Sequence, residues 1–396
     1  MVSRGGSVVA VRFVLLLGIV SLFADMTYEG ARSITGPFLE FLGAGAVVIG
    51  VVAGLGEFIG YGTRIVSGHF ADRTSRYWFI TFFGYGLNLF SVPLLALAGH
   101  WEVAAVLIIL ERLGKGIRTP ARDAMLSYAT SKIGRGWGFA IHEALDQVGA
   151  VLGPLIVAAV FYAGGGFRES FAILFLPAAV AVMVLVAANR TYPSPQQLET
   201  HHVGETSGKM PRSFWLYLVF VSLSVAGFAH FQLIAYHFAK QSLMPEALIA
   251  LLFAAAMGVD AVVALVVGRL YDKVGHPVLA AIPLLSLPIA PLAFSNSFPF
   301  TVLSVFLWGA SMGVQETIMR AAVAGMTPAE KRGFSYGVFN TAYGFSWFLG
   351  NTAMGFLYDV NTGYAIAFSV LLELTSLFFF LLIKGRLVKL APPDVR

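Results

Sequence analysis

Residues 67–78 read SGHFADRTSRYW, and residues 267–277 read VGRLYDKVGHP. The two stretches share one pattern at a separation of 200 residues, because Gly68 and Asp72 recur as Gly268 and Asp272. Each stretch is polar and follows a long apolar run. The recurrence indicates that the chain consists of two similar halves, each with this charged segment after its second apolar run.

The composition predicts a membrane protein. The chain is 58% hydrophobic and 12% charged, whereas soluble domains average about 25% charged residues. A helix that crosses a bilayer needs ~20 mostly apolar residues. Twelve stretches meet this requirement, at residues 10–38, 45–67, 77–98, 101–125, 137–163, 169–189, 213–239, 246–268, 277–296, 299–325, 333–357 and 363–384. The alternation of a barrel strand is missing. We therefore predict an all-α integral membrane protein with twelve transmembrane helices in two pseudo-symmetric six-helix halves.

The basic residues predict the orientation. With the N-terminus inside, the cytoplasmic segments hold sixteen Lys and Arg residues, and the external loops hold only Arg168 and Lys240. Such an excess marks the cytoplasmic side, so we expect both termini in the cytoplasm and the chain in the cell inner (plasma) membrane. The same excess explains the net charge of +5, so we expect no nucleic-acid partner. The first apolar run contains acids and precedes eleven more spans, which argues against a cleaved signal peptide.

The longest polar stretch divides the chain. Residues 191–212 read as a cytoplasmic linker between an N-terminal half, 1–190, and a C-terminal half, 213–396. Further pairs support the repeat, because Arg122 corresponds to Arg320, and Glu29 to His230, at separations of 198 and 201 residues. A repeat of six spans is typical of a secondary transporter with a site between two halves near the membrane midplane.

With these motifs the sequence resembles the major facilitator superfamily over essentially its whole length. GHFADRTSR is similar to the family's G-x-x-x-D-R-x-G-R signature, with Ser75 in place of the second Gly. On span four, IILERLGKGIRT resembles L-x-x-x-R-x-x-Q-G, with Lys115 where Gln is usual. On span five, GAVLGP resembles the G-x-x-x-G-P motif of the antiporter branch. The residues that match this span-five motif are Gly149, Gly153 and Pro154.

The resemblance implies that the repeated segment is a gate latch at the cytoplasmic face. A short loop between two helices has to turn tightly, which Gly permits, and the Asp residues can pair with basic residues across helix ends. A simple anchor of positive charge is the alternative. The gating residues that we predict are Gly68, Asp72, Arg73, Arg76, Gly268, Asp272 and Lys273.

Charged residues within spans are expensive unless they face protein or water, and most of them lie in the first half. Asp25, Glu29 and Arg32 share one helical face because they are spaced i, i+4 and i+7. Burial favours the protonated form of a carboxyl group and a nearby base opposes this, so a conformational change can bind and release protons. Arg112 matches the family motif that is linked to proton transfer. The proton-coupling residues that we predict are Asp25, Glu29, Arg112, His142, Glu143 and Asp146.

The second half has few buried charges and many aromatic residues, especially in GFSYGVFNTAYGFSWFLGN at residues 333–351. Apolar walls with a few polar groups suit an organic ligand, although lipid-facing packing explains such aromatics equally well. The substrate-cavity residues that we predict are Glu111, Lys115, Arg118, His230, Phe231, Glu316, Arg320 and Tyr343.

The sequence has no phosphate-binding P-loop, nucleophile elbow or HExxH motif, so we expect neither an enzyme nor an ATP-driven pump. We expect no cofactor and no bound metal. The leading hypothesis is a proton-coupled antiporter, working as a monomer in the lipid bilayer, that exports small organic compounds. The alternative is a carrier of a charged solute. That solute is an organic anion on the Arg/Lys stripe of span four or, with less support, a divalent metal on the carboxylates and histidines.

Overall fold

The computed structural model describes residues 4–130, 135–194, 212–327 and 332–388. Within these ranges the chain forms helices and turns and no β-strand. The α-helices are α1 (Arg4–Phe41), α2 (Ala46–Thr74), α3 (Tyr77–Leu94), α4 (Trp101–Thr130), α5 (Arg135–Tyr162), α6 (Phe167–Ile173), α7 (Phe175–Thr191), α8 (Arg212–Gly227), α9 (Phe231–Lys240), α10 (Glu246–Val274), α11 (Ala281–Ser286), α12 (Ile289–Ala293), α13 (Phe298–Val314), α14 (Arg320–Met326), α15 (Arg332–Val360) and α16 (Thr362–Val388). Leu95–Leu97 and His276–Ala280 form 3₁₀ segments, and Gln315–Met319 forms a π-helical turn.

The predicted all-α fold of twelve spans is confirmed. Each predicted span corresponds to one long helix or to consecutive shorter ones, such as α6 with α7, α8 with α9, α11 with α12, and α13 with α14. Among the described residues, ten helical segments are long and apolar enough to cross a membrane. The helices α4 and α15 are not among these ten. Helix α4 has six charged residues between Glu111 and Asp123, and α15 is rich in Gly, Ser, Thr and Tyr.

The contacts divide the chain into two compact units. The first comprises residues 1–38, 59–202 and 246–254, and the second comprises residues 39–58, 203–245 and 255–396. The predicted halves, 1–190 and 213–396, stay a prediction, and most of the predicted linker lies outside the described residues.

The first unit packs α1, α3 and α4 around an apolar core. Phe13 of α1, Tyr77 of α3 and Met125 of α4 are buried together. Helices α3 and α4 approach closely, because a Cβ built on Gly114 would lie 2.7 Å from the carbonyl oxygen of Gly84. Small residues permit such close contact of helix backbones in membranes. The charged face of α4 is thereby held at a fixed position.

In the second unit, hydrogen bonds join α8 to α16. Ser224 donates to Glu373 at 2.7 Å. Ser369 donates to the carbonyl oxygen of Gly227, also at 2.7 Å. Glu373 is completely buried, and the hydroxyl of Ser224 satisfies one of its oxygens. These hydrogen bonds hold the C-terminal end of α8 in place, just before span seven is interrupted at residues 228–230.

The first part of α2 packs against α15, also within the second unit. The carboxylate of Asp359 accepts hydrogen bonds from the backbone N–H groups of Ala46 and Val47, at 3.2 and 3.0 Å. These are two of the N–H groups that the first turn of a helix leaves without a partner inside the helix. Further along, a Cβ built on Gly54 would lie 2.8 Å from the Cα of Phe348. Asp359, near the C-terminal end of α15, therefore caps the N-terminus of α2.

The structure corrects the expected position of the repeated motif. Gly68 and Gly268 were expected in tight loops, but both lie inside helices, α2 and α10. The turns come later, at Ser75 and Gly275, which both have positive φ. The two helices run on through the motif because nothing between its Gly and its Asp residues interrupts a helix.

Candidate functional site

The charged residues of the first unit lie on α1, α4 and α5. Three of its acids make ion pairs with arginine. Arg32 donates to Glu29 at 3.3 Å. Arg112 Nε lies 3.2 Å from Glu111 Oε2, and Arg122 pairs with Asp123 at 2.8 Å.

Two of these pairs have further partners. Asn88 of α3 donates to Glu111 Oε1 at 2.8 Å, so both carboxylate oxygens of Glu111 are engaged. Arg122 donates to the hydroxyl of Ser21 on α1 at 3.1 Å. Buried charges are tolerated when they are paired and hydrogen-bonded in this way. Glu111 and Arg122 thus help to fix α4 against its neighbours.

Asp25 has a different environment. It is 7% exposed and accepts a hydrogen bond from the phenol of Tyr28, one turn along α1. The ammonium of Lys115 lies over the Tyr28 ring, 3.9 Å from its centroid. Tyr28 therefore stands between an acid and a base, bound to Asp25 through its hydroxyl and to Lys115 through its ring.

Arg118 is fully buried and bonded to tyrosine. It donates to the hydroxyl of Tyr85 on α3 at 3.0 Å, and its guanidinium lies 4.3 Å from the centroid of that ring. Arginine stacks on aromatic faces as well as pairing with acids. Lys115 is partly exposed, whereas Arg118 has no exposed surface.

On α5 the structure brings His142 and Asp146 together and leaves Glu143 apart. His142 Nδ1 lies 3.4 Å from Asp146 Oδ2, at i, i+4 spacing on α5. Glu143 is exposed. The predicted coupling residues thus fall into an α1 group around Asp25, an α5 group around Asp146, and the separate ion pairs described above.

The glycines of the span-five motif pack α5 against α1. A Cβ built on Gly149 would lie 3.0 Å from the Cβ of Asp25, and one built on Gly153 would lie 2.8 Å from the nitrogen of Gly30. Asp146 lies one turn before Gly149, on the same face of α5. The contact of Gly149 with α1 therefore also turns Asp146 toward Asp25. The motif therefore has a packing role at the acidic residues.

The second unit contains a chain of neutral hydrogen bonds at the π-helical turn. Tyr343 of α15 donates to Gln315 at 3.4 Å, and Gln315 donates to Ser311 at 3.2 Å. Ser311 is 2.7 Å from the hydroxyl of Ser286. The predicted cavity residues Glu316 and Arg320 lie in and just after this turn and are exposed. π-Helical turns inside α-helical segments often occur at functional sites.

Span seven is interrupted at residues 228–230, between α8 and α9, and side chains satisfy the backbone there. Asn351 accepts from the backbone N–H of His230 at 2.9 Å. Trp308 donates to the carbonyl oxygen of Ala229 at 3.0 Å. His230 caps α9, because its Nδ1 accepts from the backbone N–H of Gln232. Phe231 is fully buried, with its ring centroid 5.3 Å from that of Trp308.

The break brings His230 close to an acid on another helix. His230 Nε2 lies 3.9 Å from Glu57 Oε1 on α2. The Trp347 ring of α15 lies 5.4 Å from the imidazole, measured between centroids. Glu57 is not among the site residues predicted from the sequence. The break follows Gly227, the last residue of α8.

The predicted gating residues are only partly described. Arg73, Arg76, Asp272 and Lys273 are exposed, and the side chain of Asp72 lies outside the described residues. A Cβ on Gly68 would lie 3.4 Å from Pro120, and one on Gly268 would lie 3.4 Å from Thr317. The two glycines thus face span four and span ten, which are corresponding spans of the repeat. The latch role stays a prediction.

In the part of the chain that the structure describes, no group of three or more His, Asp or Glu side chains could hold a metal ion. The hypothesis of a metal substrate therefore gains no support from the geometry. Sequence reasoning missed Tyr28, Tyr85 and Asn351 as partners of the site. These residues are neutral and common in helices, so no pattern of charge or spacing distinguishes them before the fold is known.

The comparisons with known proteins agree on the family. The sequence matches the profile of the Major Facilitator Superfamily over residues 14–351 and 233–394. A protein of Mycobacterium tuberculosis is 41% identical over 388 residues, which are 96% of this chain and 94% of that one. An MFS-type transporter of Methanocaldococcus jannaschii is 27% identical over 378 residues, 92% of each chain. The multidrug resistance protein MdtH of Photorhabdus laumondii is 34% identical over 119 residues, 30% of this chain and 29% of its own.

Solved structures share the fold at low sequence identity. The peptide transporter POT has a TM-score of 0.76 at 16% identity and covers 96% of this chain and 95% of its own. The nucleoside transporter NupG has a TM-score of 0.71 at 12% identity, with 96% and 99% covered. Together with the profile match, this shows that the chain belongs to the Major Facilitator Superfamily and is a membrane transporter of that family.

Proposed function

We propose that the chain is a proton-coupled secondary transporter that works by alternating access, as an antiporter that exports small organic compounds. The first unit supplies the proton-binding acids, Asp25 and Asp146. The second unit supplies aromatic surface for the organic compound. The proposal rests on the way in which the acids of the first unit are partnered.

One observation carries the proposal. Among the described residues, Glu29, Glu111 and Asp123 each pair with an arginine. No Lys or Arg of the described residues lies within ion-pair distance of Asp25 or Asp146. Their partners are instead the phenol of Tyr28 and the imidazole of His142. Protonation of an acid that is paired with arginine breaks an ion pair, whereas protonation of Asp25 or Asp146 does not. These two acids are the ones that can exchange a proton at low cost.

A basic residue stands close enough to respond to that exchange. Lys115 contacts the Tyr28 ring, and Tyr28 is bonded to Asp25. A charge on Asp25 attracts the ammonium, and loss of that charge weakens the attraction. Titration of Asp25 therefore changes the position that Lys115 prefers. Such a change links protonation to the arrangement of α1 and α4.

Two features support organic compounds as substrate. Part of the chain is similar to a multidrug resistance protein, and the second unit contains clustered aromatic rings on α9, α13 and α15. Aromatic walls with few polar groups suit organic ligands. The direction of transport follows from the antiport hypothesis and the multidrug relative.

A charged solute is the second candidate, supported by the basic residues of α4. Lys115 has no carboxylate within ion-pair distance among the described residues, and it is partly exposed. An ammonium of this kind can bind an organic anion. Arg118 is less suited to this role, because it is fully buried and bonded to Tyr85.

The test is proton movement in proteoliposomes. Internal pH is recorded while organic cations, neutral drugs, organic anions and divalent metals are added in turn. We expect an organic compound to move protons in the opposite direction, and Asp25→Asn and Asp146→Asn to abolish this movement. Glu102→Gln is the control, because Glu102 is an exposed acid at the start of α4. Proton movement that survives both Asn variants would refute the coupling assignment.

The charged-solute alternative has its own discriminating result. Lys115→Gln should leave the affinity for an organic cation or neutral drug within about threefold of the wild-type value. A loss of affinity of more than about tenfold for an anion, roughly 1.4 kcal/mol, would favour the anion carrier. Proton movement in the same direction as the anion would refute antiport.

A further inference from the structure

Two acids and two bases of the first unit form no ion pair, although they act on one another electrostatically. Among the described residues, Asp25 and Asp146 have no Lys or Arg within ion-pair distance, and Lys115 and Arg118 have no carboxylate within that distance. Charges inside a protein are costly unless they are paired. The feature that keeps these opposite charges apart therefore calls for an explanation.

Two buried tyrosines hold the bases instead. The ammonium of Lys115 lies 3.9 Å from the centroid of the Tyr28 ring. The guanidinium of Arg118 lies 4.3 Å from the centroid of the Tyr85 ring and 5.8 Å from that of Tyr28. The face of an aromatic ring attracts a cation. Each base of this group therefore has an aromatic partner in place of an acid.

The hydroxyl groups of the two tyrosines have different partners. Tyr85 accepts a hydrogen bond from Arg118, so its ring and its hydroxyl serve the same base. Tyr28 donates to Asp25 through its hydroxyl and contacts Lys115 through its ring. Tyr28 therefore contacts an acid and a base at the same time. The acid is at the hydroxyl end of the ring, and the base is on its face.

The charged groups around Asp25 come from three helices. Glu29 is on α1 itself, and Lys115 and Arg118 are on α4. Asp146 faces it from α5. Glu29 already pairs with an arginine, and Arg118 is fully buried and held by its hydrogen bond. Lys115 is partly exposed and has a flexible side chain, so it is the base that can move to Asp25 when space opens.

We infer that Tyr28 is a positioning residue that prevents an ion pair between Lys115 and Asp25 and so keeps Asp25 able to take up a proton. The phenol donates to the ionised carboxylate, and the ring holds the ammonium away from it. An ammonium in direct contact would favour the ionised acid more than a neutral donor does, because it adds a full opposite charge. The inference rests on the proposed function only in making the proton on Asp25 the coupling proton.

The test measures the protonation of Asp25 directly. Infrared spectra of the purified full-length protein are recorded over a series of pH values. The carbonyl band of a protonated carboxyl group that disappears in Asp25→Asn is assigned to Asp25. The pH at which this band has half its full intensity is the titration midpoint. The measurement requires neither a substrate nor a proton gradient.

Two substitutions of Tyr28 should move the midpoint in opposite directions. Tyr28→Phe keeps the ring and removes the hydrogen bond to the ionised acid, so the midpoint should rise by ~1–2 pH units. Tyr28→Leu also removes the ring, and Lys115 then replaces the phenol as the donor. The midpoint should therefore fall by at least about one pH unit. Midpoints that move in the same direction, or that do not move, would overturn the inference.

A double variant shows whether Lys115 causes the fall. In Tyr28→Leu with Lys115→Met no ammonium can reach Asp25, so the midpoint should return to the wild-type value or rise above it. A midpoint that stays low would refute the role of Lys115. Where Tyr28→Leu does not fold, Tyr28→Met fills more of the space of the ring with a flexible chain and should give the same fall.

Tyr217→Phe is the matched control. Tyr217 is a fully buried tyrosine of α8 in the second unit, and its hydroxyl donates to the backbone carbonyl of Met319 at 2.8 Å. This variant also loses one buried hydroxyl, but at a distance from Asp25, so the midpoint should keep its wild-type value. A rise equal to that of Tyr28→Phe would show a general effect of the lost hydroxyl and would overturn the inference.

Proteoliposomes separate this inference from the proposed function. Opposite midpoint shifts in the two Tyr28 variants, without proton movement for any added compound, would refute proton coupling alone. Proton movement that Asp25→Asn abolishes, together with a wild-type midpoint in both Tyr28 variants, would refute the role of Tyr28 alone.

Discussion

Ser75 and Gly275 end corresponding helices of the repeat, and both residues have positive φ where their helix ends. The φ values are 53° and 76°. The N–H of Ser75 bonds to the carbonyl oxygen of Ala71 at 2.8 Å, and that of Gly275 bonds to Tyr271 at 2.7 Å. The motif residue that departs from the family pattern, Ser75, is thus the one that adopts a conformation in which Gly is favoured.

This relationship predicts opposite effects of two substitutions. Ser75→Gly should raise the free energy of unfolding by about 1 kcal/mol, because it removes the cost of a side chain in the left-handed region. Gly275→Ala should lower it by ~1–3 kcal/mol, since φ 76° with ψ −147° is nearly exclusive to Gly. Thermal unfolding of the purified protein measures both changes. A lower melting temperature for Ser75→Gly would contradict the explanation.

The buried pair Glu29–Arg32 predicts a strong coupling between its members. Both side chains are less than 10% exposed, and they lie 3.3 Å apart. Arg32→Gln or Glu29→Gln alone should lower stability by ~3–5 kcal/mol, because each removes one member of a buried ion pair. The double variant should cost less than the sum of the two. A double-mutant cycle on thermal stability measures the coupling, and strict additivity would contradict it.

The α1–α5 contact predicts that a single methyl group is harmful at two glycines. Gly149→Ala and Gly153→Ala should each lower stability by ~1–3 kcal/mol, because the new Cβ meets the backbone of α1. Gly86→Ala on α3 is the control, since nothing lies within 4 Å of a Cβ there. That variant should be neutral or stabilising by ~0.4–1 kcal/mol. Equal effects at the three positions would show that the contact is looser than described.

The Asp359 cap predicts a graded effect of two substitutions. Asp359→Ala should lower stability by ~0.5–2 kcal/mol, the usual effect of losing an N-terminal cap. Asp359→Asn keeps only one of the two acceptor oxygens, because Ala46 and Val47 bond to different oxygens of the carboxylate, and it should retain part of this stabilisation. Its loss comes from the second hydrogen bond and from the missing charge at the helix N-terminus, which is worth ~0.3–1 kcal/mol. Thermal unfolding of the two variants distinguishes a cap from a residue without a role, for which both would be neutral.

The fold could be predicted from the sequence because hydropathy and helix length are local properties. Each of the twelve apolar stretches corresponds to a helix or to consecutive helices. The interruption at residues 228–230 was not predictable in this way. Its backbone groups bond to Asn351 and Trp308, which are more than 70 residues distant in sequence. The local signal is Gly227 at the end of α8, and one Gly inside an apolar span does not predict a break, because Gly is common in transmembrane helices.

The charged part of the site could be predicted only where helical spacing decides the contact. The His142–Asp146 and Glu29–Arg32 contacts follow from i, i+4 and i, i+3 spacing. The link from Asp25 through Tyr28 to Lys115 requires α1 and α4 to be adjacent. The spacing of charges along one helix therefore identifies candidate site residues. The packing between helices then decides which acids pair with an arginine.

The bond between Asp359 and the first turn of α2 also has a consequence for biosynthesis. Its partners, Ala46 and Val47, precede Asp359 by 313 and 312 residues. At ~5–20 residues per second, a ribosome needs about 15–60 s to cover that interval. During this time Asp359 is not yet present to accept from those two amides. The connection between the first two helices therefore reaches its final form only when the eleventh span has been made.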